Sequence, residues 1–98
     1  MAEALTVPEV SALATVLDAA SSGRRVRWLG EDGSTVHEGV ARHVVAGPEP
    51  HQWHFLPKGQ DVRDAWLRIT SRTGLDHAVP MARLVELVHG GGFAVDGG

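Results

Sequence analysis

The side chains best suited to chemistry in this 98-residue chain are arginines interleaved with tryptophan. Arg25 and Arg27 alternate along "RRVRWL", and Arg68 and Arg72 share one parity with Trp66 in "AWLRITSR". Guanidinium groups on a sheet can follow a phosphate backbone while an indole stacks on a base. The same residues can solvate the outer face of a sheet and guard its edges. Tryptophan beside arginine is also the composition of a protein–protein hot spot. Arg25, Arg27, Trp66, Arg68 and Arg72 are therefore the candidate residues for a protein or nucleic-acid partner.

Charge bears on that choice. The net charge is −3 and unevenly spread. Residues 1–23 carry three acids and no base, residues 24–72 carry eight bases against six acids, and residues 73–98 carry three acids and Arg83. An acidic chain has no general attraction for phosphates, so RNA or single-stranded DNA would need the central segment as a local patch.

Other chemistry is poorly represented. Six histidines (His37, His43, His51, His54, His77 and His89) invite a metal reading, but zinc needs three or four converging ligands. With no cysteine and no His-Glu-x-x-His helix, no cofactor is expected, and a small molecule or metal held by the histidines stands as a third, weaker alternative. "HGGG" at 89–92 matches an oxyanion string by letters, without a nucleophile elbow anywhere in the chain. No phosphate loop or dinucleotide fingerprint occurs, so the expectation is a non-enzymatic protein.

The elements that must hold these residues follow from periodicity. Thr6 and Glu9 form a capping-box pattern ahead of Val10, Leu13, Leu17 and Ala20, and Gly23 is a left-handed stop. The pattern predicts a helix over about 7–21. The period then falls to two, with Val26 and Trp28 facing a core and Arg25 and Arg27 facing away. Asp32-Gly33 marks a hairpin turn. The run 35–46 predicts a long second strand, with a bulge or bend at Gly39. "WHFL" at 53–56 is a short strand candidate. "AWLRITSRTG" predicts a strand with Leu67 and Ile69 inward, and 75–79 a return strand ended by Pro80. "MARLVELV" reads either as a helix of two turns or as a helical turn entering a strand. Phe93 and Val95 add a last short strand before fraying C-terminal glycines.

One helix followed by about five short strands, with turn signals every 8–12 residues, predicts a mainly β chain. At this length a small SH3-like or Sm-like barrel over about 25–96 is expected, the whole of 1–98 forming one domain. The start "MAEALTVPEV" is not positively charged, and no apolar run approaches the ~20 residues of a membrane span. A cytoplasmic protein with no membrane association is expected.

The helix followed by "VRWLGEDGSTVHEGVARHVV" resembles the opening of Sm-like barrels: a strand, an Asp-Gly turn and a long strand bent at a glycine. "WLRITSRTGLDHAVPMARLVELV" and "GGFAVDG" are similar in order to the closing strands of the Rof family, small Sm-like bacterial inhibitors of the termination factor Rho. "GRRVRW", "QWHFL" and "MARLVEL" resemble, less closely, the layout of WYL domains. The resemblance implies a barrel and an interaction module of a bacterial regulator, with a protein partner in transcription. "AGPEPHQ" stands where Sm proteins carry the Asp-x-x-x-Asn loop that holds a base, so no binding residue is carried over.

Overall fold

The computed structural model describes residues 6–54 and 56–96. Helix α1 spans Val7–Ser22. The Thr6 hydroxyl accepts from the Glu9 N–H at 3.3 Å, and the Glu9 carboxylate accepts from the Thr6 N–H at 3.1 Å, closing the expected capping box. Gly23 takes φ +63°, and the N–H groups of Gly23 and Arg24 return to the carbonyls of Ala20 and Ala19. That is the Schellman ending, which a side chain at position 23 would strain.

The buried face of α1 differs from the stripe expected from spacing. Ala12, Leu13, Val16, Ala19 and Ala20 are inward, whereas Val7, Val10 and Leu17 are 83%, 50% and 39% exposed. The helix is apolar nearly all round, so periods of three and four fit two different faces. The face rich in alanine wins because small side chains let the helix axis approach the sheet.

Five strands follow: β1 (Arg25–Leu29), β2 (Val36–Val45), β3 (Trp66–Ser71), β4 (Asp76–Pro80) and β5 (Phe93–Val95). They form one antiparallel sheet in the order β4-β3-β2-β1-β5. Residues 36–40 of β2 pair with β1 and residues 39–45 with β3, so Gly39 and Val40 pair on both sides. The bulge falls between Ala41 and Val44, two residues beyond the expected Gly39. Gly39 is needed for a different reason. A Cβ there would lie 2.6 Å from Ile69 Cγ2 and 2.7 Å from the Thr70 carbonyl oxygen, so β3 can approach only a glycine.

Between β4 and β5 runs α2 (Met81–Gly90), which settles the ambiguous "MARLVELV" as a helix. No ladder joins the two edge strands among the described residues, so the sheet is open and not closed into the expected barrel. Pro80 ends β4 without an N–H to donate, and α2 sends Met81, Leu84, Val85 and Leu87 into the core. Val26, Trp28, Ala41, Leu67, Ile69 and Val79 meet them from the sheet, with Leu13 and Val16 from α1. Full burial of a side chain such as Leu67 or Ile69 contributes about 1.5–3 kcal/mol.

The expected strand at 53–56 is absent among its described residues. Pro50–Gln52 forms a single 3-10 turn that ends at Trp53, and Phe55 lies outside the described residues, as do Gly97 and Gly98. The Trp53 and His54 N–H groups are spent on the carbonyls of Pro50 and Gln52, so neither enters a sheet. Among the described residues no helix is long and apolar enough to cross a membrane.

Candidate functional site

Strand parity places Arg25, Arg27, Arg68, Arg72 and Trp66 on the sheet face away from the helices, as alternation predicts. The arginines fall into two ion-paired groups that adjoin at Thr70. At one end, Arg25 and Arg72 both approach Glu38 Oε1, at 3.5 and 3.3 Å. Arg27 lies opposite Glu38 in the β1–β2 register but turns to Asp96 at 3.1 Å. The space between Arg25, Glu38, Val40, Thr70 and Arg72 is about 60 Å³, too small to enclose a base.

At the other end, the Arg68 guanidinium lies 4.6 Å over the Trp53 ring and 3.1 Å from Asp76 Oδ2. Thr70 Oγ1 donates to Asp76 Oδ1 at 2.7 Å, and Arg42 Nε donates to Thr70 Oγ1 at 3.0 Å. The Thr70 hydroxyl, and then Arg68, hold the Asp76 carboxyl below the usual carboxylate range. Arg68 Nε is buried and has no hydrogen-bond partner.

The aromatic partner of arginine is therefore Trp53, whose Nε1 donates to the Pro48 carbonyl at 3.3 Å, and not Trp66. Trp66 is half-buried, paired with Val45 on one side and Pro80 on the other. Nothing in the spacing of Trp53 marks it, because the loop between β2 and β3 brings it onto the sheet. Asp76 and Asp96 were equally hidden; each pairs with an arginine on a neighbouring strand or at a strand end. The face as a whole keeps five arginines (Arg25, Arg27, Arg42, Arg68 and Arg72) against three carboxylates, an excess of two positive charges. Exposed pairs of this kind contribute about 0–1 kcal/mol each.

The helix side of the molecule offers a different surface. Leu17, Ala20, Val44 and Leu56 line an open, mainly apolar groove of about 430 Å³ between α1 and β2, with Arg42 at its margin. Val7, Val10, Ala14 and Leu17 are exposed at helical spacing along α1 and lead into it. The spacing of Val10 and Leu17 marks this face in the sequence but fits a core stripe equally well.

The histidines are dispersed. His37 and His77 meet around Trp28, His43 borders the groove, and His89 Nε2 is 3.1 Å from the Pro8 carbonyl oxygen. Among the described residues no three His, Asp or Glu side chains are grouped so as to hold a metal ion. The chain matches no protein-family model, no curated protein and no solved structure.

Proposed function

We propose that this chain is a non-enzymatic interaction module that binds a protein partner, with α1 and the adjoining groove as the contact face. The observation that carries the reading is the apolar line Val7, Val10, Ala14 and Leu17, continuous with a groove walled by Leu17, Val44 and Leu56. The apolar arc of α1 is wider than the face it buries, with Ser11, Thr15, Asp18 and Ser22 making up the polar side, so part of that arc is left open. The occupant that fits is an apolar helical segment of a partner, seated along α1 with a large side chain in the groove. A basic flank would suit the end of α1 near Asp18, an acid outside any ion pair among the described residues, whereas Glu9 already faces Arg63 at 3.9 Å. A second copy of α1 would bring like charges together.

A regulator of the Rof type, within an Sm-like layout, is the family reading that accompanies this proposal. Its support is the order of parts: capped helix, strand, Asp-Gly turn, long second strand, and a short strand returning beside β1. Affinity capture with the wild-type chain and a Leu17→Lys variant tests the proposal. A protein retained by the wild type and lost from the variant supports it; equal recovery contradicts it.

The rival reading is single-stranded nucleic-acid binding on the outer sheet face, favoured by the excess of two positive charges there. Oligonucleotide binding measured at two salt concentrations tests it, since phosphate contacts weaken steeply with salt. Absence of binding at low salt rules it out.

A further inference from the structure

Arg83 is a half-buried cation with no carboxylate partner among the described residues. It lies in the first turn of α2, and its Nη2 donates to the Gly30 carbonyl at 3.0 Å. A guanidinium has five N–H donors, and this is the one hydrogen bond Arg83 makes among the described residues. By contrast Arg25, Arg27, Arg63, Arg68 and Arg72 each meet an acid, and the other two arginines, Arg24 and Arg42, are exposed. Leaving a partly buried charge unpaired is costly, so a guanidinium in this position is suited to an anion from outside.

The space beside Arg83 is shaped for a small one. A half-open crevice of about 120 Å³ lies between the β1–β2 turn and the β4–α2 junction, bordered by Trp28, Gly30, His37, Pro80 and Arg83. His37 stacks on Trp28 at 5.2 Å, and His77 meets the same indole edge-on at 5.7 Å. Neither imidazole makes a hydrogen bond among the described residues, so their ring nitrogens are unspent. Gly30 keeps the floor open. A Cβ there would stand 2.9 Å from His37 Nε2, although the backbone at Gly30 is not left-handed. Glu31, exposed at the rim and outside any ion pair among the described residues, is the acid that borders the crevice.

We infer that this crevice binds a single carboxylate. Arg83 supplies the charged donors, His37 a further N–H, and the Trp28 edge an apolar wall for the carbon that bears the group. The volume admits a small acid or the end of a peptide chain and excludes a nucleotide. Glu31 repels a second negative charge, which favours a monocarboxylate over phosphate.

The test is an amide NMR titration of the full chain with sodium acetate, sodium chloride serving as the control at constant ionic strength. Acetate is expected to move the Gly30 amide and the Trp28 indole N–H saturably, while chloride does not. Arg83→Gln should weaken acetate about tenfold, the loss of one charge-assisted bond, and Arg83→Lys should retain more of the affinity. Glu31→Gln should tighten it, and Gly30→Ala should block it by filling the floor. A short peptide with a free C-terminus, set against its amidated form, distinguishes the sources. Tighter binding of the free-acid peptide than of acetate assigns a chain terminus, and equal binding assigns a free small acid. Shifts that do not saturate, that chloride reproduces, or that survive Arg83→Gln unchanged would overturn the assignment. Arg83→Lys and Glu31→Gln guard against a folding artefact, since both leave the packing volume nearly intact.

Discussion

Arg68 lies face-on over Trp53, its guanidinium carbon 4.6 Å from the ring centroid. This contact pins the β2–β3 loop to the outer face of the sheet. It also withdraws from solvent an arginine that alternation alone would leave as a free cation. Trp53→Ala should therefore cost about 1–2 kcal/mol, the scale of a partly desolvated cation–π pair together with the lost indole area. Denaturant midpoints measure it. The companion variant Trp66→Phe keeps the half-buried ring and should cost less; a larger loss from Trp66→Phe would contradict the assignment of Trp53 as the arginine's partner.

Glu38 joins Arg25 to Arg72 through a single carboxylate oxygen. Both pairs are well exposed, so Glu38→Gln should change stability by less than about 1 kcal/mol. Its main effect is on charge, since the sheet face gains one net positive charge. If that face binds single-stranded nucleic acid, the variant should bind more tightly than the wild type at low salt. Wild type is expected to show no measurable oligonucleotide binding.

Gly39→Ala should destabilise strongly, by about 2–4 kcal/mol, because the new methyl group meets the Thr70 carbonyl oxygen and Ile69 on the neighbouring strand. The obstruction at Thr70 is backbone and cannot rotate away. Thermal unfolding of the variant beside wild type reads the effect, and a near-neutral result would mean that β2 and β3 are not paired in the register described.

Acid should unfold the protein through particular carboxylates. Hydrogen bonds from the Arg63 side chain and backbone N–H lower the Asp61 pKa to about 2, and Thr70 and Arg68 lower that of Asp76. The hydroxyl and amide of Thr35 do the same for Asp32. A folded pKa below the unfolded one gives stability that is present above the unfolded value and lost as the pH falls through the folded value. For Asp61 that window runs from 3.8 down to about 2. Melting temperature should decline across it, and the decline should be shallower in Asp61→Asn. An unaltered slope in that variant would remove Asp61 from the explanation.

Much of this architecture was legible in the chain, where local rules and tertiary packing agree. The Thr6–Glu9 box, the Gly23 stop, the alternation of Val26 and Trp28, and the Leu67/Ile69 face all appear as periodicity predicts. Legibility failed where a segment had two faces to offer. The apolar circumference of α1 allowed either Val10/Leu17 or Ala12/Val16 to be the core face, and only the approach distance to the sheet decides. Ion pairs were harder still. The acids that quiet Arg27 and Arg68 are Asp96, in the residue after β5, and Asp76 on β4; both partnerships depend on strand order, which spacing within a strand does not encode. The open edge between β4 and β5 likewise reflects a ten-residue helix occupying the gap.

The exposed face of α1 should be dispensable for folding. Val10→Lys alters a side chain that is 50% exposed and should shift stability by no more than about 0.5 kcal/mol, and Leu17→Lys, at 39% exposed in the groove wall, by no more than about 1 kcal/mol. Val16→Ala, on the buried face, should cost about 1–3 kcal/mol by opening a cavity. Circular dichroism melts separate the two groups, and a large loss in the lysine variants would assign the stripe to the core after all.

The central claim is that the protein meets its partner along α1 and the groove, and not across the arginine face. Site-specific photocrosslinking in cells reads it most directly, with a benzophenone side chain placed at Leu17 in one variant and at Arg72 in another. The account predicts a discrete protein adduct from position 17 and none from position 72. A protein or nucleic-acid adduct formed at position 72, with position 17 silent, would contradict it.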